Sequence, residues 1–154
     1  MLGYWNNEEE TKKVLNDGWL FTGDVGHFEN KYLKITDRKK DILITPGGDN
    51  ISPIKIENDL LKIDFVEQTL VYGDNKPYLV ALLVLNKEKS DITDAIILKE
   101  LEIVNKNLSK IEKIKKFIVI KDQFTIENGL MTPTLKLKRY KIIQKYKNLL
   151  ENLY

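Results

Sequence analysis

The nine-residue run YLVALLVLN at 78–86 constrains the fold of this chain more than any other feature of its sequence. Apolar residues stand at both odd and even positions, so a strand here is apolar on both faces and belongs in the centre of a sheet. The run VEQTLVY at 66–72 precedes it, and the residues Gly73 to Pro77 between the two runs are typical of a hairpin turn. With the later run KKFIVI, the pattern predicts a sheet of about three strands.

Helical patterns flank these strands. Ser52 can cap a helix whose first position is Pro53, and Ile51 can pack against Ile56 across the first turn. Two further stretches show apolar residues at helical spacing, one from Ile97 to Leu108 and one that begins at Tyr140 and closes the chain. These patterns predict helices that cover the sheet.

The region before the sheet has a different pattern. A polar segment at 7–15 predicts a short helix, and VGHF and KYLKIT flank Glu29 and Asn30 in the manner of a short hairpin. The run DILIT predicts a further strand, followed by a turn at PGGDN in which Gly47 and Gly48 can take positive φ at little cost. We therefore predict an α+β fold, with a small hairpin followed by a compact mixed sheet covered by helices. Aromatic residues such as Trp19 and Tyr32 are expected to pack in the core rather than to contact a ligand.

Composition excludes several classes of function. The net charge is only +2, from 25 basic and 23 acidic side chains, which gives no reason to expect nucleic acid as a partner. The chain has no cysteine, so thiolate chemistry and thiolate metal sites are excluded. No His, Asp or Glu spacing suggests a metal site. No apolar run is long enough to span a membrane, and the first residues do not resemble a signal peptide, so we expect a cytoplasmic protein without a transmembrane segment.

Two residues in the first third of the chain can recognise a sugar or a phosphate. Asp24 follows Gly23, which lets a ligand approach the backbone, and its carboxylate can accept two hydrogen bonds from a vicinal diol such as ribose. Asp24 can equally be an ordinary turn or cap residue. Arg38 follows the predicted strand directly and carries a planar group of five donors suited to a diol or a phosphate. A charge run such as DRKKD is otherwise typical of a solvated face.

A second polar cluster is NGLMTPTLKLKR at 128–139. Gly129 and Pro133 predict a loop, and Lys136 on that loop offers a compact cation for a phosphate oxygen or a carboxylate. The alternative is a basic lead-in to the last helix. Basic charge at a helix start opposes the helix dipole, so Lys136, Lys138 and Arg139 are poorly explained as helix stabilisers.

Three segments, DGWLFTGD, KYLKITDRKKDILITPGGDNISPIKIE and NGLMTPTLKLKR, resemble the carboxyl-terminal motifs of the adenylate-forming superfamily in order and spacing. The double glycine and the TPTLKLKR segment are most similar to its long-chain fatty acyl-CoA synthetases. The resemblance covers essentially the whole chain. It implies that residues 1–36 are the terminal segment of a large amino-terminal domain and that residues 37–154 form the carboxyl-terminal lid domain.

The resemblance also implies roles for individual residues. Asp24 and Arg38 would bind the ribose hydroxyls, Lys136 would bridge the substrate carboxylate and the α-phosphate during adenylation, and Lys40 would be the hinge. In the second orientation of the lid, a further set would face coenzyme A: Gly47, Gly48 and, less directly, Lys138 and Arg139.

By the same resemblance, the substrates are a fatty acid, ATP with magnesium, and coenzyme A, bound mainly through an amino-terminal domain in cis. The isolated chain is then expected to be inactive as a ligase. An acyl-carrier-protein ligase is an alternative that only the acceptor distinguishes. A third alternative is a non-enzymatic anion- or nucleic-acid-binding module that uses KLKRYK at 136–141. Peripheral membrane association is compatible with this sequence.

Overall fold

The computed structural model describes residues 1–86 and 92–154. Over these residues the chain divides into two compact units, Met1–Lys40 and Asp41–Tyr154. The predicted α+β fold is confirmed, with helices, small sheets and one mixed sheet of three strands. Its elements in chain order are α1 Glu8–Val14, β1 Leu15–Asn16, β2 Trp19–Leu20, β3 Asp24–Glu29, β4 Tyr32–Arg38, β5 Leu43–Ile44, β6 Asn50–Ile51, α2 Pro53–Leu60, β7 Val66–Tyr72, β8 Leu79–Leu85, α3 Asp94–Lys106, β9 Ile114–Ile120, α4 Arg139–Lys145 and α5 Lys147–Glu151.

The first unit is built from one short helix and two hairpins. Asn7 caps α1 by accepting a hydrogen bond from the backbone N–H of Glu10 at 3.1 Å. The hairpin β3–β4 forms as predicted, but its turn lies one residue later, at Asn30 and Lys31, both with positive φ. A residue pair of this kind forms the tight turn that suits the twist of a two-strand ribbon.

The sheet of the second unit has the order β7-β8-β9, with β7 and β8 antiparallel and β8 and β9 parallel. β8 is the central strand, as its sequence predicts, and β9 is an edge strand. The residues of β8 alternate between two apolar clusters, one on each face of the sheet. Helices α2 and α3 cover one face, and α4 and α5 cover the other. The apolar side chains on both faces of β8 are buried because helices lie on both sides.

Local signals in the second unit are observed largely as predicted. The Ser52 side chain accepts from the backbone N–H of Lys55 at 3.2 Å, and Pro53 is the first residue of α2. The DILIT strand is short and pairs with β6 around the glycine turn, where Gly48 takes positive φ and Gly47 does not. The predicted closing helix is two short helices separated at Tyr146.

Candidate functional site

The predicted diol-binding residues Asp24 and Arg38 meet across the β3–β4 hairpin. They are paired in the strand register, and Nε of Arg38 lies 3.1 Å from Oδ1 of Asp24. Asp24 is exposed over 27% of its side chain and Arg38 over 56%, so both can reach a ligand. An exposed ion pair contributes little to stability, so exchanging part of it for ligand hydrogen bonds costs little.

The backbone around this pair is well ordered by hydrogen bonds. The N–H of Asp24 donates to Oγ1 of Thr22 at 3.1 Å, and the N–H of Lys39 donates to the carbonyl of Gly23 at 2.8 Å. Gly23 has a φ of +73°, which a residue with a Cβ rarely adopts. A cleft of about 480 Å³ opens beside these residues, lined by Tyr4, Glu10, Val14, Phe21, Thr22, Gly23, Arg38, Lys39 and Lys40. The hairpin therefore holds a carboxylate and a guanidinium next to a cavity of ligand size.

One residue of the DRKKD run differs from a solvated charge. Asp37 is buried to 4% exposure, and its Oδ1 has no hydrogen-bond partner among the residues described. Burying a carboxylate oxygen without a partner carries a free-energy cost. The sequence pattern alone gives no sign of this burial, because the neighbouring charges Arg38, Lys39 and Lys40 are exposed.

Lys136 lies on a closed loop of the second unit. The N–H of Thr132 donates to the carbonyl of Lys136 at 2.8 Å, and the N–H of Lys136 donates to Oγ1 of Thr132 at 3.0 Å. Leu135, with a φ of +59°, forms the turn. The Lys136 side chain is exposed and has no ion pair among those found in the described chain. Its ammonium is thus presented by an ordered loop.

Arg139 is placed differently from Lys136. Its guanidinium donates to Oε1 of Glu57 at 2.6 Å and to the carbonyl of Val71 at 2.7 Å, and its side chain is only 13% exposed. The predicted contact of Arg139 with coenzyme A stays untested, but in this structure its guanidinium faces α2 and β7. The basic segment 136–141 therefore presents fewer free cations than its sequence indicates.

The glycine turn borders a groove of about 570 Å³ that sequence inspection missed. Gly47 lines it, together with Lys110, Lys113 and Lys115 from the region around the start of β9. Lys76 also lines the groove and forms an ion pair with Glu151 at 2.5 Å. The glycine turn and Lys76 lie far in the sequence from Lys110, Lys113 and Lys115, so only the fold brings these groups together. Neither Lys138 nor Arg139 is among the residues that line this groove.

The structure thus joins some predicted residues and distributes others. Asp24 and Arg38 are brought together, and with Lys40 they belong to the first unit. Gly47 and Lys136 belong to the second unit. Among the described residues no group of three or more His, Cys, Asp or Glu could hold a metal ion. No helix within 1–86 or 92–154 is long and apolar enough to cross a membrane.

Two aromatic residues expected in a core are exposed. The sequence favours a packing role for Trp19 and Tyr32, but they are exposed to 76% and 79% in this chain. Both lie on short hairpin strands that have no apolar layer against them in the first unit. That interpretation is wrong for this structure.

Comparison with known proteins identifies a matching family and relatives that are similar along nearly the whole of this chain. Residues 40–154 match the family model described as AMP-binding enzyme C-terminal domain. A long-chain-fatty-acid–CoA ligase of Mycobacterium tuberculosis is 33% identical over 99% of this chain and 29% of its own length. A long-chain-fatty-acid–[acyl-carrier-protein] ligase of Arabidopsis thaliana is 34% identical over 100% of this chain and 24% of its own length. The chain spans less than a third of each of these curated relatives.

Solved structures are also similar to this chain along nearly its whole length. The adenylation domain of a carboxylate reductase from Mycobacterium chelonae has a TM-score of 0.89 and 34% identity, over 99% of this chain and 26% of that chain. The corresponding domain from Segniliparus rugosus, solved in complex with AMP and a co-purified carboxylic acid, has a TM-score of 0.88 and 29% identity over the same shares. The chain is therefore similar, in sequence and fold, to about a quarter of these longer solved chains.

Proposed function

The chain belongs to the family of AMP-binding enzyme C-terminal domains, and from this premise we propose that it serves as the lid of an ATP-dependent long-chain fatty acid–CoA ligase. The observation that carries the proposal is similarity to fatty-acid ligases along nearly the whole chain. The proposed activity belongs to the complete ligase, because most nucleotide and acyl contacts would come from a larger amino-terminal domain.

In the first proposed step, a carboxylate oxygen of the fatty acid attacks the α-phosphorus of ATP. The bond from that phosphorus to the pyrophosphate oxygen breaks, which gives acyl-adenylate and pyrophosphate. Lys136 would offset the negative charge of the carboxylate and the α-phosphate as they approach, as a preorganised cation does. Its exposed position on an ordered loop supports this role. We assign no protein ligand to the magnesium that accompanies ATP.

Asp24 and Arg38 are proposed to hold the ribose of the nucleotide. A vicinal diol can donate two hydrogen bonds to the carboxylate of Asp24, and the guanidinium of Arg38 can donate to a hydroxyl oxygen. Their separation of 3.1 Å and their exposure support a shared ligand. In this role the two residues would position the nucleotide and would take no part in the bond making.

In the second proposed step, the thiol sulfur of coenzyme A attacks the acyl carbon, the bond to AMP breaks and the thiol proton is released. We propose that the lid turns at Lys40 between the steps and brings Gly47 and Gly48 towards the thiol arm. The boundary of the compact units directly after Lys40 supports this hinge. The lysine-lined groove beside Gly47 is chemically suited to the phosphates of coenzyme A.

We further propose that the first unit is the end of the large domain. Large apolar side chains of this unit are exposed, as in Trp5 at 92% and Phe28 at 77%. Exposed apolar surface of this extent is typical of an interface with further protein. Residues 1–36 were predicted for this segment from the sequence, and the compact unit extends to Lys40.

The experiment that tests the proposal separates the two half-reactions in the complete ligase. Lys136→Ala should lower pyrophosphate release with fatty acid and ATP by about 100-fold or more, because a preorganised charge is removed from the first step. Thioester formation from supplied acyl-adenylate should change little. Lys141→Ala, an exposed lysine on α4 without a proposed role, is the matched control and should leave both steps unchanged.

Equal loss in both half-reactions would refute the adenylation role of Lys136. A wild-type protein that forms no acyl-adenylate from any long-chain fatty acid would refute the ligase itself. Coenzyme A and a carrier protein with its phosphopantetheine arm are then offered separately as acceptors. Thioester formation only on the carrier would replace the CoA ligase with the carrier-protein alternative.

A further inference from the structure

Three groups from distant parts of the sequence meet behind the loop that carries Lys136. Glu57 comes from α2, Val71 from β7, and Arg139 is the first residue of α4. The guanidinium of Arg139 donates to Oε1 of Glu57 and to the carbonyl of Val71, at 2.6 and 2.7 Å. The same Oε1 accepts from the backbone N–H of Val71 at 2.7 Å. We call this set of contacts the Arg139 clamp.

The clamp supplies hydrogen-bond partners to backbone groups at the open edge of the three-stranded sheet. Among the described strands β7 pairs only with β8, so at Val71 the N–H and the carbonyl both point to the edge at which none of these strands lies. Val71 is completely buried, and unpaired backbone groups there would cost free energy. Glu57 accepts the hydrogen bond of the N–H, and Arg139 donates one to the carbonyl. The charges of Glu57 and Arg139 balance each other, and the two side chains are only 10% and 13% exposed. The position of Arg139 is therefore fixed by the sheet.

Hydrogen bonds connect the segment next to Arg139 with the loop that carries Lys136. The N–H of Lys138, the residue before Arg139, donates to the carbonyl of Leu130 at 2.8 Å and closes the base of the loop. Leu130 is buried to 4% exposure in the apolar cluster beneath α4 and α5. Above this base, Thr132 and Lys136 are joined by the two hydrogen bonds described above. The loop thus has an apolar anchor at one end and an ionic anchor at the other.

We propose that Arg139, held by Glu57, is a positioning residue that sets the location of the Lys136 ammonium for adenylation. Arg139 acts through Lys136 and need not touch a substrate. The inference rests on the adenylation role proposed for Lys136. Arginine is required because its two terminal nitrogens reach two different acceptors, whereas lysine offers one compact ammonium. This role differs from the coenzyme A contact expected for Arg139 from the sequence, which stays a prediction.

The test uses Arg139→Lys and Glu57→Gln, each in the complete ligase. Both variants should lower the turnover number of adenylation by about 10-fold to 100-fold, because a displacement of about 1 Å in a catalytic group has an effect of that size. The rate of thioester formation from supplied acyl-adenylate should stay within about twofold, as expected for a group needed only in the first transition state.

Two control variants separate positioning from general stability. Ile97→Val shortens a buried side chain on the sheet face opposite α4 and α5. Lys145, on the same helix as Arg139, forms an ion pair with Asp122, and Lys145→Gln breaks that pair. Both should leave the ratio of the two half-reaction rates unchanged. If Arg139→Lys and Ile97→Val shift that ratio equally, the clamp is only structural and the proposal is wrong.

A second readout uses the 154-residue chain alone. Amide hydrogen exchange at Lys136 and Lys138 should be at least about 10-fold faster in Arg139→Lys than in the wild type, since loss of the clamp frees the loop base. Unchanged exchange would overturn the proposal whatever the activity. If the wild-type ligase makes no acyl-adenylate, the proposed function fails, and the positioning proposal fails with it even where exchange shows that Arg139 orders the loop.

Discussion

The two compact units differ in what holds them together. In Met1–Lys40 the only buried residue is Asp37, whereas every buried apolar residue of the described chain lies in Asp41–Tyr154. Residues with proposed roles nevertheless occur in both units, Asp24 and Arg38 in the first and Lys136 in the second. A site residue can therefore be positioned either by a strand register and turn hydrogen bonds or by a loop anchored in a packed core.

The difference has a physical consequence for stability. Two-stranded hairpins without an apolar layer are at best marginally stable in water. A three-stranded sheet with helices on both faces buries apolar side chains that each contribute about 1.5–3 kcal/mol. We therefore expect the second unit to unfold cooperatively and the first unit to contribute little to that transition when the chain is studied alone.

The largest expected effect comes from leucine truncations, one in each unit. Leu82→Ala removes a fully buried side chain of the central strand and should cost about 2–5 kcal/mol of unfolding free energy. Leu33→Ala, at 59% exposure on β4, should change it by less than about 0.5 kcal/mol. Urea unfolding followed by far-ultraviolet circular dichroism measures both. Similar losses would show that the first unit has a core of its own in solution.

The two helix caps provide a matched pair of intermediate size. Ser52 and Asn7 accept nearly identical hydrogen bonds, at 3.2 and 3.1 Å, from the third residue after each of them. Ser52→Ala should lower the free energy of the main unfolding transition by about 1 kcal/mol, the usual value of an N-cap. Asn7→Ala should leave that transition in place and reduce only local helix content. A shift caused by Asn7→Ala would couple α1 to the second unit.

The smallest expected effect is confined to high pH. Burial, with a hydrogen bond to Glu151 that adds to it, raises the pKa of Tyr72 to about 12. Below the pKa of about 10 in the unfolded state, the Tyr72 hydroxyl is neutral in both the folded and the unfolded state, and its full contribution to the free energy of unfolding is present. Between about pH 10 and 12 the unfolded state ionises first, so the free energy of unfolding falls as pH rises.

Tyr72→Phe should make this alkaline loss shallower, and Tyr32→Phe, at an exposed tyrosine of the first unit, should leave it unchanged. Unfolding free energies measured from pH 8 to 12 test the difference. An identical slope in wild type and Tyr72→Phe would exclude Tyr72 as a source of the pH dependence.

Sequence patterns predicted the second unit well because its elements carry strong local signals. The apolar run of β8 required neighbours on both faces, and Ser52-Pro53 fixed the start of α2. The break of the final helix at Tyr146 was missed, because the apolar spacing continues across it. The β1–β2 hairpin was also missed, although Asp17-Gly18, both with positive φ, is a recognised turn signal.

Whether a contact at the candidate site could be predicted depended on how far apart its residues lie in the sequence. The Asp24–Arg38 pairing follows from local hairpin register, which the sequence pattern approaches to within one residue. The Glu57–Arg139 contact joins residues 82 positions apart, and no periodicity indicates that these two charges are buried against each other. The lysine-lined groove likewise depends on the tertiary fold, which brings the glycine turn and Lys76 to the lysines near the start of β9. Long-range electrostatic partners depend on the tertiary fold, so residue type and spacing do not reveal them.

The position of β9 at the edge of the sheet bears on self-association. An edge strand exposes unpaired backbone groups to other molecules, and a segment such as KFIVI has the composition of aggregation-prone strands. Lys115 and Lys116 stand exposed on this strand, and the ammonium of Lys116 also donates to the carbonyl of Leu153 near the end of the chain. Charge repulsion between copies and the contact with Leu153 thus oppose cross-strand assembly at this edge, which lies across the three-stranded sheet from the Arg139 clamp.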